Sequence, residues 1–463
     1  MNRPKVLVVL CLVTALVAAC GGRGDDSTES AGTTTNTTAA ANNDACANEK
    51  PQATDIGVTA DKITIEVMAD VGSSLAPGLF QGNHDALAAF AKYVNANGGI
   101  ACRDLEVKLW DTKLNADESK NGLIDACANA LALVGNNSLF NPDVSPMTDC
   151  KDKAGAATGL PDIAALANDI NEQCSRTTFL IQAVAEQCKT LSGERDLSAF
   201  TGFTKYLLSQ NDNDLHGLFM VPGDLPTTVQ SATYQIKAQQ SAGVKWDAVL
   251  KVSGRDEQAA YTPRVQQVKA ANSNFVYNGS NDRAMVAMRK EANAQGLNSV
   301  KVWACSLACY TRNFLATGGA DVEGTYVWMQ FLPFEEADSN KALQAYVDAV
   351  GANKVDSFGA QAWQAALLFK HVVDKIVDSD GVNGITRAKL LETLKTTDDF
   401  TADGWMGSQP KDLRGFSPCM VVLQVKSGKF VRAFPEKKGT LECSPQDVVQ
   451  VHLDPAKEAE QIK

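Results

Sequence analysis

From residue 63 onward the chain repeats one alternation: a short apolar run, a turn containing Gly, Asn or Asp, and then a longer stretch with helical period. Residues 63–69, 105–110, 131–135 and 163–166 read as strands, and 79–95, 117–130 and 143–157 as helices. After Thr178 the pattern restarts, with strands at 217–221, 248–252, 274–277, 300–303 and 324–330 between helices at 201–210, 227–242, 261–271 and 283–295. Helices at 340–350, 357–377 and 386–396 follow, and residues 419–425 and 429–434 alternate as a final ribbon. Short apolar strands alternating with helices specify an α/β fold of parallel sheets covered on both faces. A folded region of about 400 residues exceeds what one core supports, so two lobes are expected.

The N-terminus carries a different message. Arg3 and Lys5 precede the apolar run 6–18, which is too short to span a bilayer, and small Ala18 and Ala19 precede Cys20. The segment resembles a bacterial lipobox, which implies a signal peptide over 1–19, lipidation of Cys20 and attachment to the outer face of the membrane through the lipid alone. Residues 20–55, rich in Gly, Ser, Thr, Asn and Ala at their start, read as a disordered tether.

Net charge is −11, and removal of Arg3 and Lys5 with the signal would leave −13. That balance argues against nucleic acid or an anionic surface as partner. Twelve cysteines less Cys11 and Cys20 leave ten, and an even remainder in an exported chain implies disulfides. Local geometry pairs Cys102 with Cys127, Cys150 with Cys174, Cys305 with Cys309 and Cys419 with Cys443, leaving Cys46 for Cys188. No metal site is expected, because Cys-x3-Cys lacks a second ligand pair.

Several strings, in this order, resemble the Leu/Ile/Val-binding family, the type I periplasmic binding proteins of ATP-driven importers. They are the run from Asp61 to Ile65, the helix ending in Tyr93 to Ile100, the strand 132–135, the run from Asn274 to Gly279 and the helix around Ala360, Gln361, Ala362 and Trp363. The resemblance covers about residues 56–435. It implies two doubly wound parallel-sheet lobes joined by three hinge crossings near 178–185, 330–335 and 413–420. The first lobe would comprise 56–180 and 334–414 and the second 181–333 and 415–450, with 451–463 as a C-terminal tail. The implied partners are a small-molecule ligand and the permease and ATPase of an ABC importer, served by a monomeric extracytoplasmic protein that needs no cofactor.

Ligands of open α/β sheets bind beyond the carboxyl ends of strands. Those ends supply Ser73, Ser74, Asn137, Ser138, Ala167 and Asn168 in the first lobe, and Asp224, Asn278, Ser280 and Ser306 in the second. The family resemblance, taken by position, points to Ser138, Ala167 and Asn168 as counterparts of groups that hold a ligand's carboxylate and ammonium, and to Phe358 as an aromatic wall. Phe80 begins a helix that faces the cleft. Where amino-acid-binding members present an acidic residue to the ammonium, this chain has Cys305 and Ser306, so an α-ammonium would lose a charge-assisted contact worth about 1.5 to 3 kcal/mol. Asn and Ser supply both donors and acceptors, which suits an amide, a urea-like or a hydroxylated solute. The same residues also serve as turn and cap residues.

Two other functions are open to such an exported chain, an exported hydrolase and a ligand-sensing partner of a membrane receptor. His84, His216, His371 and His452 are scattered, and neither a H-E-x-x-H nor a G-x-S-x-G motif occurs. Asp70 and Asp111 read as turn caps rather than as paired acids, so catalysis is not expected.

Overall fold

The computed structural model describes Cys46 and residues 49–182, 193–398, 400–408 and 417–463. The expected signal peptide, Cys20 and most of the tether lie outside these residues, as does Cys188. Successive apolar runs pair in parallel because each helix carries the chain back to the edge from which it started. In chain order the first sheet is built from β1 (Lys62–Ala69), α1 (Gln81–Ala96), β2 (Asp104–Asp111), α2 (Ala116–Asn129), β3 (Ala132–Val134), α3 (Ser145–Thr148), β4 (Asp162–Leu166), α4 (Ile170–Gln173) and β5 (Thr178–Gln182). Its strand order is β2-β1-β3-β4-β5, parallel throughout.

The second sheet takes its strands from the middle of the chain. After β6 (Arg195–Phe200) come α5 (Gly202–Ser209), β7 (His216–Pro222), α6 (Pro226–Ser241), β8 (Lys245–Val252), α7 (Thr262–Ala270), β9 (Phe275–Asn278), α8 (Asp282–Ala294), β10 (Val302–Cys305), α9 (Arg312–Gly318) and β11 (Tyr326–Met329). Strands β8-β7-β9-β10-β11 repeat the order of the first sheet. Helices α10 (Lys341–Val350), α11 (Ser357–Asp380) and α12 (Arg387–Thr396) then return to the first lobe. The ribbon of β12 (Cys419–Lys426) and β13 (Lys429–Phe434) extends the second sheet in antiparallel fashion from β11, and β14 (Glu442–Cys443) pairs with β12.

Helix α11 shows how sequence becomes core. Asp356 caps it by accepting from the Gly359 amide, and Trp363 is fully buried, edge-on to Phe90 at 5.0 Å between ring centroids. Gly135, at the end of β3 with φ of +77°, would place a Cβ 3.1 Å from that of Ala362, so the close seat of α11 requires glycine there. Two buried arginines lock the lobe: Arg103 donates to the carbonyls of Gln52, Thr59, Ala101 and Val382, and Arg387 to those of Cys127, Ala130 and Lys151.

Several expectations are corrected. The helix expected over 143–157 is the single turn α3, after which Asp152 anchors a loop through Ala156 and Thr158. Residues 49–55, assigned to the tether, pack against the loop after α11, where Glu49 accepts from Val382 and Asn383. The expected tail is also folded: β15 (Val448–Leu453) pairs with β6, and α13 (Pro455–Glu460) lies on α6, with Lys237 bonded to Glu458 at 3.0 Å. Strand β6 itself was not expected.

Cys305–Cys309 and Cys419–Cys443 form as expected, but Cys102 joins Cys46, and Cys127 joins Cys150. The packed 49–55 segment brings Cys46 to the start of β2, and the short α3 lets Cys150 turn onto the end of α2. Cys174 is also disulfide-bonded, to none of these eight.

The carboxyl edge of the first sheet is organised by two aspartates. Buried Asp70 accepts from Thr112 Oγ1 at 2.5 Å, the Leu114 amide at 2.7 Å and the Leu139 amide at 2.8 Å, joining the loops after β1, β2 and β3. Asp111 accepts from the amides of Val71, Gly72 and Lys113, and these outweigh its partial burial to hold its carboxyl below the usual range. Replacing Asp70 with alanine orphans three donors, so Asp70→Ala is expected to lower the unfolding free energy by at least about 3 kcal/mol in urea titrations.

Buried acids give the lobe a pH dependence of known sign. Burial, then the nearby Asp125, push Glu66 up to about 8 despite Lys108 at 3.4 Å, and burial pushes Asp162 up to about 7. Unfolded, both groups titrate near 4 to 4.5. The folded chain therefore keeps these protons to higher pH, and their contribution, complete below about pH 4, is lost as pH rises through 7 to 8. The thermal midpoint is expected to fall between pH 6 and 9, and Glu66→Gln to flatten that fall, in calorimetry across a buffer series.

Candidate functional site

Both sheets reverse their winding between the first strand and the third, at β1/β3 in one lobe and β7/β9 in the other. At such switch points neighbouring loops diverge and leave a crevice. The segments that follow these four strands converge on one cavity of about 320 Å³, a size suited to a small organic molecule. The first lobe contributes Leu75, Leu79, Phe80 and Leu139, and the second Pro222, Asp224, Leu225 and Ser280. Thr227 at the start of α6 donates to the Leu139 carbonyl at 2.7 Å, a hydrogen bond that holds the lobes together beside the cavity.

Of the twelve residues named from sequence, Phe80, Asn168, Asp224, Ser280, Ser306 and Phe358 line this cavity. Phe80 and Phe358 meet edge-on with centroids 4.8 Å apart. The side-chain amide of Asn168 bonds to no other described residue. Asp224 accepts from Ser253 Oγ at 2.6 Å and the Gly254 amide at 2.7 Å, so its charge is spent in part on its own loop. Ser306 accepts from the Ala308 amide and starts a short turn.

The other six lie off the cavity lining. Ser73 accepts from the Leu75 amide, and Ser74 is exposed. Ser138 shares a hydrogen bond with Ser119 at 3.0 Å, Ala167 is fully buried, and Asn278 ties its own turn to Ser280 and Asn281. Asn137 is fully buried.

Two groups of lining residues were missed. One is a set of half-buried leucines, including Leu75, Leu114, Leu139, Leu166 and Leu225. Their signal is present in the sequence, since Leu114 and Leu139 follow predicted strand ends, but a leucine there reads as core as readily as lining. The other is Gln361, one turn beyond Phe358 on α11. It is fully buried, it lines the cavity, and neither Nε2 nor Oε1 has a hydrogen-bond partner. A buried amide left unbonded costs about 1 to 3 kcal/mol, which a bound polar group would recover. Its lone signal was membership of the string 360–363. Arg, Lys and His are absent from the described lining, and Asp224 is its single ionisable carboxylate. Among the described residues no cluster of three or more His, Cys, Asp or Glu is placed to hold a metal, and no helix is long and apolar enough to cross a membrane.

A family model described as periplasmic binding protein matches residues 62–429. Among solved structures, an ABC transporter substrate-binding protein of Aeropyrum pernix superposes with a TM-score of 0.66 at 12% identity, covering 86% of this chain and 98% of the other. The leucine-binding protein LivK of Thermotoga maritima gives 0.61 at 12% identity, covering 83% and 99%. A fatty acid ABC transporter substrate-binding protein of Thermomonospora curvata gives 0.58 at 16%, covering 87% and 95%. No curated protein matches by sequence. The family is one of binding proteins rather than enzymes. With most of its length matched and both sheets in the shared order, this chain belongs to the periplasmic binding protein family, in its type I, Leu/Ile/Val-binding-like form.

Proposed function

We propose that the chain is the solute-capturing component of an ABC importer, anchored outside the cytoplasm by a lipid on Cys20, and that its lobes close over an organic solute with an uncharged polar group. Amides, urea-like and hydroxylated neutral solutes fit best. The supporting observation is the unpartnered, buried amide of Gln361 at a cavity fed by both switch points. Asn168, Ser280 and Ser306 add neutral donors and acceptors. The three crossings expected near 178–185, 330–335 and 413–420 would serve as the hinge between lobes bounded as the sequence suggests. Similar structures are described as binding leucine in one case and a fatty acid in another, so the fold does not choose the solute. The lining residues must.

A solute that favours the closed state shifts the lobes toward it by its differential affinity. In a thermal-shift screen of the full chain carrying Cys20→Ser, amides and hydroxylated solutes are expected to raise the midpoint, with a smaller radius of gyration in solution scattering. Micromolar binding of leucine, isoleucine or valine would reverse the reading of Asn168 and Ser306, and turnover of a bound solute would end the receptor assignment.

Gln361→Leu separates binding from folding. It removes an unsatisfied amide, so the solute-free chain is expected to gain about 1 kcal/mol in stability while affinity for the best solute falls at least tenfold. Thr227→Ala removes the bond across the cleft mouth and is expected to weaken affinity by about fivefold through a less favourable closed state. Titration calorimetry with the hit from the screen measures both.

A further inference from the structure

The cavity does not end at the cleft. It continues into the second lobe beside α6, whose lining residues Leu225, Thr228, Ser231, Gln235 and Gln239 fall on one face. From Leu225 to Gln239 that face is about 21 Å long at the helical rise per residue. A helix covering a sheet normally fills the space between them with large aliphatic side chains. Apart from Tyr234, the α6 side chains that line the cavity are small or slender, and the gap stays open.

The opposite wall is aromatic. Phe200, Phe203, Tyr277 and Trp328 line it, with Phe200 stacked on Trp328 at 5.1 Å between centroids and Phe203 at 6.0 Å. Trp328 lies in β11, which has hydrogen-bonded neighbours on both sides, yet remains half-buried rather than buried, because part of its ring faces the opening. Ala199 of β6 also lines the cavity, and β6 pairs with β15, whose Val451 and Leu453 cluster with Leu197, Tyr234 and Ala238. Strand β15 lies beyond the stretch matched by the family model.

A small polar solute would fill the cleft and leave the aromatic channel unoccupied. We infer that the solute is lipid-like and uncharged, its polar head held in the cleft at Gln361 and Asn168 and its apolar body extending along α6 beside β6. The inference rests on the solute-capture reading above and names the class of molecule captured. Half-buried leucines around the cleft fit the part of the body nearest the head. An anionic head is disfavoured, since the described lining carries no cation and does carry Asp224.

The test uses the full chain with Cys20→Ser and four probes, 1-butanol, 1-octanol, 1-dodecanol and dodecanoate, with affinity followed by Trp fluorescence and by thermal shift. Affinity is expected to rise about tenfold for every two methylenes along the alcohol series, and dodecanoate to bind at least tenfold more weakly than dodecanol. Ser231→Phe, which narrows the channel, is expected to weaken dodecanol at least tenfold and butanol less than twofold. Ser231→Leu is the smaller plug should the phenylalanine variant fail to fold.

Affinity independent of chain length, or a Ser231 plug that affects all lengths alike, would overturn the lipid-like assignment. Equal binding of dodecanoate would overturn the uncharged head. If short amides shift the midpoint while no alkyl probe does, this inference falls and solute capture stands. If neither class binds, both fall.

Discussion

The carboxylate of Asp70 is the tie on which the first-lobe half of the cavity depends. Three loops leave the sheet side by side, and left to themselves their amides would seek water and splay apart. One buried acceptor gathers two of those amides and a hydroxyl, at the desolvation cost of an ion in the interior. Because Leu114 and Leu139 both donate to it, the leucines that face the solute are positioned by their own backbones. The wall is apolar to a guest and polar behind.

In the second lobe the same task is divided. Asp224 joins two loops, and Asn278 closes the turn that carries Ser280. These are local bonds within or between neighbouring loops, whereas Asp70 spans three. Across the mouth the lobes meet through the Thr227 hydroxyl and the Leu139 carbonyl, itself part of the peptide segment that Asp70 secures. Closure and loop order in the first lobe are thereby linked through one residue.

Much of this was legible in the residues. Alternating apolar runs and helical stretches specify the parallel sheets, and turn residues at strand ends mark the edge where the cavity lies. What escaped was long-range. No local signal says that residues 49–55 lie against the loop after α11, so Cys46 was sent to the wrong partner and Cys102 with it. Residues 143–157 read as a helix, yet α3 ends after one turn and Asp152 bonds within the loop beyond it. At the site, Asn137 and Ser138 follow a strand end as expected but are buried off the cavity lining, Ser138 against Ser119. Gln361 sits on a helix that reads as core throughout, and nothing in its neighbours separates a buried amide from a displayed one.

The β6–β15 pairing joins strands about 250 residues apart, as the contact between Asp196 and His452 illustrates. A chain emerging in order would assemble both sheets before β15 exists to meet β6. Until then β6, which carries Ala199 and Phe200 of the channel wall, lacks its only sheet partner among the described strands. The protein thus fixes one wall of its channel late in chain order.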